Sequence, residues 1–87
     1  MNPLNATYIS TATTTTVKSG KGNLAKIVIT ETAAGTITVY DNTTATGTVI
    51  ATFKASVVEG TYEFTCRFQT GLTIVTAAAS KLTVVWE

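Results

Sequence analysis

The side chains in this sequence that could carry acid–base chemistry are chiefly carboxylates, because histidine is absent. Without histidine, the common general base near neutral pH and the usual activator of a serine or cysteine nucleophile are both missing. Glu31, Asp41, Glu59 and Glu63 could in principle form a glycosidase pair. Each of them lies next to a turn or on an outward strand face, which indicates solvated surface carboxylates. The sequence therefore predicts a protein that is not an enzyme.

The lone cysteine, Cys66, has two interpretations. It alternates with Tyr62, Phe64 and Phe68, which favours a small hydrophobic side chain facing the core. A reactive thiol beside Arg67 is the alternative. A single cysteine also excludes an intramolecular disulfide.

Cofactor and ligand motifs are scarce. The Asp41–Thr44 loop offers oxygens to calcium, but one carboxylate is too few for a cage, so we expect a plain turn and neither metal nor cofactor. Tyr8, Tyr40 and Trp86 could stack on a sugar if they shared an exposed face. The alternating pattern places Tyr40 outward and Trp86 inside. A sugar site on the outward face would therefore depend on a single aromatic ring.

The elements that would position these residues are β-strands. The 87 residues support one domain, 45% are hydrophobic, and threonine makes up about a quarter of the chain. Short alternating runs recur between turn signals, which predicts a single antiparallel β-sandwich of about seven to eight strands without helix, in either jelly-roll or immunoglobulin-like order. We expect residues 1–12 to form an N-terminal arm or short edge strand and residues 13–87 the sandwich.

The strand predictions include a face for each run. Ala33–Gly35 predicts a tight hairpin between its flanking strands. The predicted strands are Thr13–Val17, Leu24–Thr32, Thr36–Tyr40, Val49–Lys54, Thr61–Gln69, Leu72–Thr76 and Lys81–Trp86. The side chains expected to face inward are Ala25, Ile27, Ile29, Ile37, Val39, Val49, Ala51, Phe53, Tyr62, Phe64, Cys66, Phe68, Leu82, Val84 and Trp86.

The charge pattern argues against two partner classes. The net charge is +1, and the nearest approach to a basic cluster is the loose trio Lys18, Lys21 and Lys26, so we expect no nucleic-acid binding. No apolar run approaches the roughly 20 residues of a membrane span, and no basic region precedes an apolar run near the N-terminus. We expect no membrane partner.

A protein partner is the remaining class. A domain of this size with neither disulfide nor metal is expected to gain stability by oligomerisation. Several aliphatic side chains fall on outward strand faces among threonines, which is typical of a surface that another subunit buries. The predicted interface residues are Tyr8, Ile9, Val28, Tyr40, Ile50, Val75 and Val85.

Four phrases of the sequence carry a resemblance to a known family: Gly22–Ile29, Gly35–Asn42, Gly47–Phe53 and Phe68–Val75, followed by a closing hydrophobic strand. Their order, with a Gly-x-Leu run, a Val-Tyr-Asp segment and a Gly-Leu-Thr-Ile-Val strand, resembles small β-sandwich virion proteins of tailed bacteriophages. The likeness spans most of residues 20–87 and supplies no site residues.

The resemblance implies a non-enzymatic virion component made in the host cytoplasm and often trimeric. We expect a capsid decoration or cement protein that stabilises the shell, with further copies of itself and the major capsid protein, or another virion protein, as partners. The alternative is a head, neck or tail fibre domain that binds a host surface glycan through loops such as Asp41–Gly47. An enzyme would need a polar pocket that the pattern does not contain.

Overall fold

The computed structural model describes residues 4–87, which form eight β-strands and no helix. The bias toward β-branched threonine, valine and isoleucine accounts for this, because such side chains are stiff and suit a pleated surface. The strands are β1 (Asn5–Ile9), β2 (Thr14–Ser19), β3 (Gly22–Glu31), β4 (Ile37–Asp41), β5 (Thr48–Phe53), β6 (Gly60–Phe68), β7 (Gly71–Thr76) and β8 (Lys81–Trp86).

Two four-stranded antiparallel sheets make up the fold. Sheet A has the order β1-β8-β3-β6, and sheet B has the order β2-β7-β4-β5. The first strand pairs with the last, the second with the seventh, the third with the sixth and the fourth with the fifth. A long hairpin folded over into two sheets gives this order, which is that of a jelly roll. The prediction of a single antiparallel β-sandwich is confirmed.

The core lies between the sheets and takes alternate side chains from both of them. Phe68, Leu72 and Leu82 are fully buried, and Tyr62 and Phe64 pack edge-on against Phe53. The buried hydrophobic residues are Ile9, Leu24, Ile27, Ile29, Ile37, Val39, Phe53, Val57, Phe68, Leu72, Ile74, Leu82 and Val84.

The expected hairpin at Ala33–Gly35 is wrong. β3 and β4 belong to different sheets, so this segment crosses from sheet A to sheet B. Gly35 lies so close to the Ala77–Ala78 backbone that a Cβ there would come within 2.9 Å of it. Alternation within each strand is the same for a hairpin as for a crossing between sheets, so the pattern could not separate the two. Within residues 4–87, β4 and β5 are the consecutive strands that pair in one sheet.

A bulge in β3 corrects one face assignment. The pairing of β3 with both neighbours shifts between Leu24 and Lys26, which leaves Ala25 out of step with the inner face. Leu24 is fully buried in its place, while Ile27 and Ile29 point inward as predicted.

A second bulge corrects the faces of β5. The register shifts so that Val39 lies opposite Ala51 but Tyr40 lies opposite Val49, and Ile50 becomes the extra residue. Val49, predicted inward, is 49% exposed. Ile50, predicted outward, is partly buried and packs against the core. A one-residue slip exchanges the faces of a strand, which explains both errors.

The N-terminal segment contributes a strand of sheet A. Asn5 to Ile9 pair residue by residue with β8, and Ile9 enters the core. The side chain of Trp86 donates a hydrogen bond from Nε1 to Thr7 Oγ1 at 3.0 Å. Residues 1–3 of the segment expected to be an arm or edge strand lie outside the described residues.

Candidate interaction surfaces

The outer surface of sheet A, called face A, mixes charged and uncharged side chains. Strand pairing sets Tyr8 beside Thr83 and Thr83 beside Val28, in one row across three strands. In the next row Lys26 lies opposite Glu63. Face A comprises Ala6, Tyr8, Lys26, Val28, Thr61, Glu63, Thr83 and Val85.

The outer surface of sheet B, called face B, has no charged side chain in the two rows of paired residues that cross its four strands. One row places Thr38 between Val75 and Thr52, and the next places Tyr40 between Thr73 and Val49. Threonine methyl groups and valines make such a surface apolar at low conformational cost, because β-branched side chains have little rotamer freedom to lose. Face B comprises Thr14, Thr16, Thr38, Tyr40, Val49, Thr52, Thr73 and Val75.

The connection after β4 covers one end of face B. Thr73 has no exposed surface, and its Oγ1 donates a hydrogen bond to the Asn42 carbonyl at 2.7 Å. Thr16 Oγ1 donates another to the Thr43 carbonyl at 3.0 Å. The exposed residues of face B, called its open part, are Val49 and Thr52 on β5 and Thr14 and Thr16 on β2.

The predicted interface residues divide between the two faces and the core. Tyr8 is 60% exposed on face A, where Val28 and Val85 are partly buried. Tyr40 and Val75 are partly buried on face B.

Two of the predicted interface side chains point elsewhere. Ile9 is buried because alternation along β1 directs it into the core, and Ile50 packs against the core because of the β5 bulge. Ile9 offers almost no surface to a partner and Ile50 only part of its side chain, while Val49 takes the outward position assigned to Ile50. The adjacent pair Val49 and Ile50 breaks the alternation of β5, and this break was the available signal for a bulge.

Asp41 holds the β6–β7 connection. Its carboxylate accepts backbone N–H hydrogen bonds from Gln69 at 3.0 Å, Thr70 at 2.9 Å and Gly71 at 3.4 Å. The N–H groups of Thr70 and Gln69 lower the pKa of Asp41, and modest desolvation opposes them. A Cβ at Gly71 would come within 2.9 Å of the carbonyl oxygens of Asn42 and Lys18, so glycine is required there. No local pattern links residues so distant in sequence, so this contact could not be predicted from the sequence.

The thiol of Cys66 faces the core side of β6. Cys66 is partly buried and packs against the buried cluster, as the alternation predicts. Burial raises the pKa of Cys66, and the negative charge of Asp41 raises it further. Both effects disfavour the thiolate, which is the opposite of what a nucleophile or metal ligand needs.

Two open grooves lie at one end of sheet A. The larger, about 330 Å³, is lined by Leu4, Lys26, Glu63 and Glu87 among others. The smaller, about 240 Å³, is lined by Lys21, Gly22, Asn23 and Arg67. The charged groups that line the larger groove are of both signs.

Residues 4–87 contain no group of three or more histidine, cysteine, aspartate or glutamate side chains placed to hold a metal ion. In the same part of the chain, no helix has the length and apolarity needed to cross a membrane.

Comparison of the chain with protein-family models, with curated proteins and with solved structures found no match.

Proposed function

We propose that the chain is a structural, non-enzymatic virion protein of a tailed bacteriophage, and that it acts as a capsid decoration or cement protein. The proposal follows from the resemblance of its sequence phrases to small phage β-sandwich proteins. It also follows from a surface chemistry suited to contact with other subunits.

The observation that carries the proposal is the chemistry of face B. Its eight strand residues include no charge, its open part consists of one valine and three threonines, and the Tyr40 ring beside Val49 is partly buried. The central part of a protein interface is depleted in charge and enriched in aromatic side chains. The two longer axes of the molecule measure 33 and 28 Å. The area of one face is therefore similar to the roughly 800 Å² that each partner buries in a standard complex.

The proposed mechanism is stabilisation by mass action. A subunit that binds only the assembled shell shifts the equilibrium toward that shell, and many copies add their contributions. The proposed partners are further copies of the chain, as a homotrimer, and the major capsid protein or another virion protein. Catalysis plays no part, in keeping with the raised pKa of Cys66.

Binding of a host glycan by a fibre domain is less well supported. Tyr40, the ring assigned to that role, is partly buried. The adjoining loop is engaged internally, since Asn42 Nδ2 donates a hydrogen bond to the Thr46 carbonyl at 3.0 Å. Tyr8, 60% exposed on face A, is a single ring without an aromatic neighbour on its face. Stacking on a sugar generally uses more than one such contact.

Co-sedimentation with intact and empty phage heads tests the proposal. The purified chain is expected to pellet with heads and to raise the temperature at which empty heads open. The double variant Val49→Lys/Thr52→Lys introduces two charges on the open part of face B and should weaken head binding at least about tenfold, because burying unpaired charge is costly.

The matched control is Thr61→Lys/Thr65→Lys, which adds the same charge at exposed positions of β6 in the other sheet. It should bind heads as the unmodified chain does. Failure of the unmodified chain to bind heads, together with binding to cell-surface glycans, would replace the proposal with the fibre alternative. Equal weakening by both variants would remove face B as the docking surface.

A further inference from the structure

The four edge strands of the sandwich differ in how they are protected. A sheet edge presents unpaired N–H and C=O groups, and proteins commonly block such edges with bulges or charged side chains. The edges here are β1 and β6 in sheet A, and β2 and β5 in sheet B.

Three of these edges are blocked. The pairing of β2 shifts register between Thr16 and Lys18, and β5 carries the bulge at Ile50. The register between β6 and β3 also shifts, and Thr65 adopts a φ of 49° at that point. β6 carries Glu63 and Arg67 as well. Each of these strands would present an irregular or charged edge to another strand.

β1 has neither form of protection. Its five residues, Asn-Ala-Thr-Tyr-Ile, include no charge and pair with β8 without a register shift. Hydrogen bonding alternates along an antiparallel strand, so about half of the backbone groups of β1 point away from β8. Two of the four large hydrophobic side chains exposed within residues 4–87 lie at this strand: Leu4 at 53% and Tyr8 at 60%.

We propose that β1 pairs antiparallel with β1 of a second copy of the chain, which joins two A sheets into one eight-stranded sheet. The strand is self-complementary about a two-fold axis at Thr7. Antiparallel pairing then sets Ala6 of each copy opposite Tyr8 of the other, so that a small side chain meets a large one on face A. No like charges oppose each other, because the strand carries none.

The pair is weak. A strand of five residues is about 17 Å long, so the contact buries well under the roughly 1,200 Å² of a stable complex. The contact therefore forms at high local concentration, as on a crowded surface. This inference does not depend on the proposed virion role, and its two-fold axis would link one proposed trimer to the next.

Sedimentation equilibrium of the full chain tests the pairing. Between about 10 μM and about 1 mM the smallest species, monomer or trimer, should begin to double its mass. The variants Ala6→Lys/Tyr8→Lys and Ala6→Glu/Tyr8→Glu should each lose this step, because like charges would face each other across the axis. An equimolar mixture of the two variants should regain it, since each lysine would then face a glutamate.

The control is Thr61→Lys/Thr65→Lys, at the opposite edge of the same sheet, which should double its mass as the unmodified chain does. Matching thermal unfolding curves establish that all variants are folded. Three results would each overturn the pairing: no doubling by the unmodified chain, equal loss in the β6 control, or failure of the mixture to regain the step.

Discussion

Asp41 shows how one side chain can hold two strand connections together. Its carboxylate, at the end of β4, accepts N–H groups of the β6–β7 connection that would otherwise lack backbone partners there. Such charge-assisted bonds are among the stronger polar contacts in proteins. The adjoining residue Asn42 meanwhile covers Thr73, so one short segment ties three strands of the sandwich.

Replacing this carboxylate should make stability depend on pH in a defined way. At pH 7, Asp41→Asn should lower the free energy of unfolding by about 1–2 kcal/mol, because a neutral amide oxygen binds these N–H groups less strongly than a carboxylate does, and an NH2 group would replace the Oδ2 that also accepts from Gln69. The native pKa of Asp41 lies below the unfolded value, so its contribution is present above about pH 4 and is lost as the pH falls through the native pKa. The difference between variant and unmodified chain in urea unfolding should therefore close under acid.

The control for that experiment is Glu63→Gln, the same change at an exposed position on β6. It should leave the pH dependence unaltered. A stability difference for Asp41→Asn that stays constant from neutral to acidic pH would show that its carboxylate charge is not what matters.

Cys66 should react slowly with thiol reagents in the folded chain. Burial and the charge of Asp41 both raise its pKa, so little thiolate forms near pH 8. We expect labelling by a thiol reagent to be much slower in the folded chain than in urea, with a modest increase in Asp41→Asn. Labelling of the folded chain as fast as the unfolded one would contradict the partly buried position.

At the scale of the strand, two adjacent residues of β1 have opposite surroundings: Ile9 is buried in the core and Tyr8 is exposed. Ile9→Ala should lower the free energy of unfolding by about 2–4 kcal/mol, because it empties a buried position. Tyr8→Ala should change it by less than about 0.5 kcal/mol, because that ring is mostly exposed. Urea denaturation measures both. Comparable losses would mean that β1 is not seated in the sheet as described.

The β6 irregularity predicts an unusual tolerance of glycine. Thr65 has a φ of 49°, which a β-branched residue adopts only with strain. Thr65→Gly should therefore be neutral or stabilising by up to about 1 kcal/mol. Thr61→Gly, on the same face in extended pairing with Val28, should cost about 1 kcal/mol. Thermal unfolding compares them, and an equal loss at both positions would argue against the bulge.

The sequence predicted strand positions well because alternation is local. Seven predicted strands correspond to β2–β8, and the even positions of β6 face the core as expected. It failed where the outcome depends on partners distant in the chain. Ala33–Gly35 could not be distinguished from a hairpin, and Ala25, Val49 and Ile50 were misassigned because bulges are set by neighbouring strands. The hydrogen bonds from the β6–β7 connection to the Asp41 carboxylate could not be predicted for the same reason.

At the scale of the whole molecule, the nested strand order brings sequence-distant residues together. Asn5 pairs with Trp86, and Thr14 pairs with Val75. Closing such long loops before their contacts form is entropically costly, so we expect folding on the millisecond-to-second scale of β-sandwiches. Within the described residues, the two sheets depend on each other, since each contributes to one shared core.

The pairing of Asn5 with Trp86 also determines how the protein should respond to mechanical force. Force applied between positions 5 and 87 pulls β1 away from β8 at one end, so the perpendicular interstrand hydrogen bonds break in succession. Force applied between positions 5 and 81 acts along the strands and loads all of those bonds together. Single-molecule pulling should therefore give a clearly lower rupture force for the first geometry, and the sandwich would resist pull from a surface only in certain directions.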